Sequence, residues 1–407
     1  MKNTVVPGKQ KYLKGKGMLV MLAFISVFPP ISTDLYLPAL PQMMEVLKTS
    51  QVLVNLTLSL FFVFFAIGIL FWGPLSEKYG RKPILIIGLV MYSGASILCA
   101  LAQNINQLIF FRVLQAFGGG AATAVATAIV KDIYSGKKRE DAIALVMAMV
   151  IVAPVIAPIL GALLLEFTSW RAIFWTLSGV GGLAIVATGL LQETLEKQYN
   201  GSIVQSLGRL WVVIKNPGFS SLLLTFSLSP IAMLAFIAAS SYIYIQGFGL
   251  NERSFSFYFS LNAIFAMFGP LLYIRISKLF KSQTIITSCF ITLAMSGFMV
   301  SAWGHTSPLL FAITMIPATM SITAMRPPSA NLMLEQQKYD SGSASSLINF
   351  FGMVMGSLGM MLISFNWKDL ISTLGIIQII IGIAGGGLWL LFRNKPFIQF
   401  TASKDDQ

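Results

Sequence analysis

The chain has 407 residues, 56% of them hydrophobic and only 11% charged, with a mean hydropathy of +0.78. A soluble domain carries roughly a quarter charged residues, so this composition excludes one and calls for lipid around most of the chain. The net charge of +13 raises nucleic acid as a partner, yet most of the 28 Lys and Arg lie between apolar runs on what would be one side of a bilayer, so topology accounts for them and no nucleic-acid partner is expected.

Apolar runs of about 20 residues, each able to cross roughly 30 Å of hydrocarbon as a helix, recur at 18–42, 52–74, 82–102, 105–128, 141–165, 170–191, 218–246, 253–279, 282–304, 307–333, 340–366 and 370–393. They lack the period-2 alternation of membrane strands, and backbone groups in lipid must be satisfied internally, so the expected fold is all-α with twelve transmembrane helices. The first run exceeds the apolar core of a signal peptide, roughly 7–15 residues, and reads as a span. Lys2, Lys9, Lys11, Lys14 and Lys16 precede it, Lys78, Arg81 and Lys82 follow the second span, and Lys137, Lys138 and Arg139 follow the fourth. That bias places both termini in the cytoplasm.

In the first span, STDLYLPALP carries Asp34, the one acid well inside a span, in a helix interrupted by Pro29, Pro30 and Pro38. A charge at the membrane centre costs about 2.5–3.5 kcal/mol on insertion scales and marks a pathway by default. Asp34 has two readings. It is a structural group paired with Arg112 or capping a broken helix, or a proton carrier that changes charge as a cavity opens to either side. Arg112, early in span four, keeps its charge under ordinary conditions, so it can bias a proton carrier or hold a polar substrate group but not itself carry a proton. Gln115 shares its helix face three residues on, where a packing hydrogen bond between helices is the competing role. In spans four and five, GGGAATAVATA and APVIAPILGALL set small residues where helix backbones can approach, and Pro154 and Pro158 favour a bend.

The longest polar connection, 192–217, divides the chain into six-span halves, 1–191 and 218–407, and its middle can form a short amphipathic helix with Leu207, Leu210, Trp211 and Ile214 on one side and Arg209 and Lys215 at the rim. GPLSEKYGRKP after span two has a degraded echo, GPLLYIRISKLF, after span eight, which favours a duplicated transporter with its site between the halves. Arg326, near the end of span ten, reads as snorkelling toward headgroups. Phe61, Met149, Phe236, Tyr258, Asn262, Asn349 and Met353 fall near mid-span and are candidate cavity-lining residues. Cys99 and Cys289 read as packing residues and His305 as a solvated turn residue. No metal, cofactor or nucleotide-binding loop is expected.

Gly73 to Pro83, GPLSEKYGRKP, resembles the signature loop between helices two and three of the major facilitator superfamily, Gly-x-Leu-x-Asp-x-x-Gly-Arg-Lys: Gly73, Leu75, Gly80, Arg81 and Lys82 match, and Glu77 stands where Asp is usual. TDLYLPALP at Thr33, FRVLQAFGGGAATAVATAIVKDIYSG at Phe111, APVIAPILG followed by WRAIF at Trp170, and GSASSL at Gly342 are similar to the Bcr/CflA group of drug:proton antiporters. The resemblance implies two six-helix bundles that expose a central cavity alternately to each side of a bacterial inner membrane. It implies export of chloramphenicol- or bicyclomycin-like compounds by a monomer in exchange for protons, without enzymatic chemistry. It assigns Asp34 as the acid shared by proton and drug, Arg112 as its basic partner, and Glu77, Arg81 and Lys82 as a latch. Pro154, Pro158 and Gly161 match the antiporter motif of helix five, with Ala153 and Ala157 in place of glycines common elsewhere. A second acid found in helix one of some relatives has no counterpart around Ser26.

With one titratable carboxylate, at most about one proton couples through this site. Exchange for a monovalent cation should then carry no current and exchange for a neutral compound should carry one; voltage-insensitive transport of a neutral substrate in reconstituted vesicles would contradict the assignment.

Overall fold

The computed structural model describes residues 16–195, 203–337 and 341–399. The lysines Lys2, Lys9, Lys11 and Lys14, and residues 196–202 of the expected linker, lie outside them. The backbone divides into two compact units, Met1–Ile203 and Val204–Gln407, with the cut inside the stretch expected as linker.

In the first unit the opening span is a chain of short helices: α1 (Lys16–Ser26), α2 (Phe28–Asp34), a 3₁₀ turn over Leu37–Ala39, and α3 (Leu40–Val46). α2, the turn and α3 each begin with a proline in their first turn, where the missing N–H costs nothing, and the two main pieces meet at 43°. Five long helices follow: α4 (Gln51–Tyr79), α5 (Arg81–Leu101), α6 (Ile105–Ile133), α7 (Gly136–Phe167) and α8 (Trp170–Gly189). Ser50 and Asn104 start α4 and α6 by accepting the amides of Leu53 and Gln107, which satisfies donors that a helix N-terminus leaves free.

The second unit contains α9 (Ile203–Ile214), α10 (Pro217–Phe226), α11 (Ser229–Ser241) with a π-helical end over Tyr242–Gly247, α12 (Glu252–Ile276), α13 (Ser282–Trp303), α14 (Pro308–Glu335), α15 (Ser341–Ser364) and α16 (Leu370–Phe392). The run expected as one helix over 218–246 is broken between Phe226 and Ser229, because Pro230 cannot continue the preceding ladder and starts a new helix instead. Counting 217–247 as one span, eleven helices among the described residues are long and apolar enough to cross a membrane, and the bent first span makes a twelfth. This is a multi-pass membrane protein.

The connector helix α9 corrects one expectation. Val213 is buried, and Leu210 and Ile214 pack with it onto the core around Phe226, Phe290 and Trp389. Trp211, assigned to that same face, is instead 61% exposed, with the Lys215 ammonium over its ring. A turn of 100° per residue lets Val213, and not Trp211, share the buried stripe.

The two units are wired alike. In the first, the second and fourth spans pair (α4 with α6), as do the third and fourth (α5 with α6), the third and sixth (α5 with α8), and the first and fifth (α1 and α2 with α7). In the second unit the same ordinal pairs recur: α12 with α14, α13 with α14, α13 with α16, and α11 with α15. The likeness extends to single atoms. A Cβ on Gly161 of α7 would lie 2.1 Å from the Leu35 carbonyl oxygen, and a Cβ on Gly359 of α15 would lie 2.1 Å from that of Ile231. Each fifth span therefore approaches a first span at backbone contact. Gly161→Val and Gly359→Val should each destabilise the protein by about 1–3 kcal/mol through overpacking, read as a lower midpoint of thermal unfolding in detergent, whereas Gly182→Ala, in open space, should not.

Candidate functional site

The break in the first span frees a backbone acceptor. The Tyr36 amide donates to the Thr33 carbonyl as the helix tightens, and the Ser32 carbonyl is taken up by Arg112 Nη1 at 3.1 Å. The same nitrogen donates to Gln115 Oε1 at 2.6 Å, and Gln115 Nε2 donates to Ser96 Oγ at 2.7 Å on the neighbouring helix. Ser96 in turn donates to the Tyr92 carbonyl, and because Ser32 Oγ gives its proton to the Phe28 carbonyl, the Tyr92 hydroxyl donates to Ser32 at 2.6 Å. Gln115 thus contacts the cation and bridges α6 to α5.

Arg112 is 0% exposed. Its guanidinium lies over the Phe61 ring at 4.2 Å and near the rings of Tyr36 and Phe174 at 5.1 and 5.8 Å. Such contacts contribute about 0.5–2 kcal/mol each when desolvated. Its Nε and Nη2 have no hydrogen-bond partner among the described residues. Asp34 closes α2, is 5% exposed, and accepts a hydrogen bond from Thr33 Oγ1 at 3.1 Å. Among the described residues Asp34 and Arg112 form no ion pair, and each has neutral hydrogen-bond partners, Thr33 for the acid and Ser32 and Gln115 for the base.

The other nominated residues separate into groups. Phe61 belongs to the Arg112 cage; Met149 is exposed on α7. In the second unit Phe236 stacks on Phe259 at 5.9 Å and Tyr258 on Tyr244 at 5.3 Å, while Asn262 donates to the Tyr258 carbonyl and leaves its Oδ1 without a partner. Met353 is half-buried on α15. Asn349, exposed on the same helix, accepts from Arg326 Nη2 at 3.4 Å, and Arg326 is itself exposed. His305 is exposed in its turn, as expected, and its Nε2 also lies 3.2 Å from Asp369 Oδ2 and 3.1 Å from Ser372 Oγ, tying the α13–α14 turn to the start of α16. Burial raises the Asp369 carboxyl, but the Ser372 hydroxyl and amide, His305 and the Ile371 amide outweigh it and hold the group below the usual carboxylate range.

Around the signature loop the structure adds residues that the sequence did not single out. Arg81 is buried, paired with Asp132 at 2.9 Å and donating to Ser76 at 2.7 Å. Gly80, at φ +102°, gives α5 no side-chain cap. The Glu193 carboxylate supplies it, accepting the amides of Arg81 and Lys82 at 2.9 and 3.1 Å and those of Thr194 and Leu195 besides. Lys82 Nζ donates to the Gly189 carbonyl at the end of α8, and Glu77 is exposed. Pro154 and Pro158 lie within α7, which runs through both, and Gly73 has open space beside it. Asp132 carried a signal, an acid ending an apolar run beside basic residues, but its partner is 51 residues away and no local pattern names it.

A sequence profile described as "Major Facilitator Superfamily" matches residues 22–360. The chain is 28% identical over 372 residues to the "Uncharacterized MFS-type transporter YdgK" of Bacillus subtilis, covering 90% of this chain and 92% of that protein. It is 27% identical to the "Bicyclomycin resistance protein homolog" of Haemophilus influenzae, covering 84% and 88%. Among solved structures, a bacterial homologue of the human lysosomal transporter Spinster in an inward-facing, occupied conformation superposes with a TM-score of 0.73 at 16% identity, covering 95% of this chain and 98% of that one.

Because Glu193 caps α5 from a distant segment, Glu193→Ala should cost about 0.5–2 kcal/mol, while Glu77→Ala, at an exposed position, should change stability by less than about 0.5 kcal/mol. Paired thermal-unfolding midpoints of the two variants in one detergent distinguish them.

Proposed function

The chain belongs to the Major Facilitator Superfamily, and we propose that it is a proton-coupled antiporter exporting drug-like antibiotics from the bacterial cytoplasm. The observation that carries this reading is Asp34: a nearly sealed carboxylate at the break of the first span, with a neutral hydroxyl as its hydrogen-bond partner. A carboxylate locked to a cation keeps its charge; one held by neutral groups can lose and regain it. Arg112, buried without a counter-ion among the described residues, adds a fixed positive charge in the same unit, which favours the ionised acid whenever water or a polar substrate reaches it. The name of the Haemophilus relative supports an antibiotic-like cargo.

In this mechanism a proton from outside neutralises Asp34 and lowers the cost of a dry, occluded state. Once the site faces the cytoplasm, an entering drug displaces the proton, and coupling comes from competition of the two for one carboxylate. Within the first unit Arg112, Gln115 and Phe61 are assigned to substrate contact, and within the second Phe236, Tyr258, Asn262, Asn349 and Met353. The loop from Gly73 to Lys82, braced by Asp132 and Glu193, moves with the first unit as one piece. The positive-inside bias puts both termini in the cytoplasm.

Asp34→Asn should abolish proton-driven export while leaving folding intact, since asparagine keeps the shape and the Thr33 hydrogen bond. In everted vesicles with an acidic lumen, adding substrate to wild-type protein should raise luminal pH, and the variant should give no response. A drop in luminal pH would assign symport, and a response surviving in Asp34→Asn would remove Asp34 from the coupling site.

A further inference from the structure

Where four helix ends of the second unit meet, a cavity of about 230 Å³ opens between α12, α13, α14 and α16. Its floor is Trp389, fully buried, with Ile286 and Leu332 beside it. The indole is held in place by a hydrogen bond from Nε1 to Thr287 Oγ1 at 3.0 Å. Its rim is polar: Tyr273 and Ser282, whose hydroxyls are 3.4 Å apart, with Gln283, Asn331 and Glu335. Glu335 is the one charged residue in this lining. Asn331 Nδ2 donates to Glu335 Oε1 at 2.8 Å, which orients the carboxylate and leaves Oε2 for another donor. Among the described residues no lysine or arginine is paired with it. α14 ends at Glu335, α12 at Ile276 and α16 at Phe392, and α13 begins at Ser282. The cavity therefore sits at the level where these spans leave the hydrocarbon, the depth of lipid headgroups.

The lining chooses the ligand by charge and by hydrogen-bond sense. An anion would meet Glu335, and a purely apolar group would leave that carboxylate unpaired. A cation with N–H donors finds the carboxylate, the two hydroxyl oxygens and the Gln283 side-chain carbonyl as acceptors. We infer that this cavity binds an alkylammonium group, with Glu335 as its counter-charge. Two sources carry that chemistry at this depth: the ethanolamine head of a membrane phospholipid and a soluble amphiphilic amine. The inference is independent of Asp34 and of proton coupling.

The test uses the full-length protein, purified in detergent. Retention of phosphatidylethanolamine against phosphatidylglycerol is read by native mass spectrometry, and binding of phenethylammonium by calorimetry. Wild-type protein should bind phosphatidylethanolamine, phenethylammonium or both, and Glu335→Gln, which keeps the Asn331 hydrogen bond and removes only the charge, should weaken that binding about tenfold or more. Ser282→Phe, at an exposed rim position, should block it as well and decides the matter if Glu335→Gln does not fold. Response in the lipid arm alone assigns a headgroup site; response in the amine arm alone assigns a site for soluble cations. Binding unchanged in both variants, equal retention of phosphatidylglycerol, or no binding in either arm would overturn the inference.

Discussion

The polar centre of the first unit is built around a guanidinium that is fully buried. Hydrocarbon offers no hydrogen bonds, so a buried cation must be met by the protein's own acceptors or be lost to a less costly arrangement. Arg112 obtains them from a helix that does not complete itself: the Tyr36 amide turns to the Thr33 carbonyl, the Ser32 carbonyl is left free, and Gln115 adds a second acceptor. The remaining face of the cation is covered by Phe61, Tyr36 and Phe174. The same break places Asp34 at the end of α2 with a hydroxyl partner. Broken helix, buried cation and buried acid are therefore one construction.

That construction sits in a frame of close helix contacts, joined by interhelical hydrogen bonds such as those of Ser96 and Ser93. Without a hydrophobic drive between helices in lipid, packing at small residues holds the bundle. Gly161 lets α7 rest against the backbone at Leu35, one residue past Asp34. The matching contact of Gly359 with Ile231 in the second unit shows the same solution reached in a sequence that shares little local pattern with the first. Beside the loop that begins α5, a helix N-terminus lacking its own cap borrows a carboxylate, Glu193, from the segment that follows α8. The entry to the connector is in this way fixed to the signature loop.

Single-residue assignments fared differently according to what kind of physics they rested on. Trp211 was placed on the buried side of its helix because it is large and apolar, yet Val213 holds that position and Trp211 faces outward under Lys215. Arg326 and His305 are both exposed, and each also meets a side chain of another helix or helix start, Asn349 and Asp369. Those two partners are distant in sequence, and no local pattern names them.

What the sequence determined by itself was whatever depends on local chemistry and length: an all-helical membrane fold, nearly every span, the positions of the breaks in the first, and the identity of Asp34, Arg112 and Gln115 as polar groups that lipid would not tolerate without a reason. Those follow from transfer free energies and from proline's missing N–H, which act residue by residue. Only the tertiary structure decided which partners those groups take. That Arg112 bonds Ser32 and not Asp34, that Ser96 and Tyr92 complete its network, that Asp132 and Glu193 hold the loop at Gly80, and that the π-helical end of α11 stacks Tyr244 on Tyr258 are all outcomes of helices meeting at particular rotations. Hydropathy says that a helix crosses the bilayer but nothing of its rotation about its own axis, and it is that rotation which brings one side chain to another.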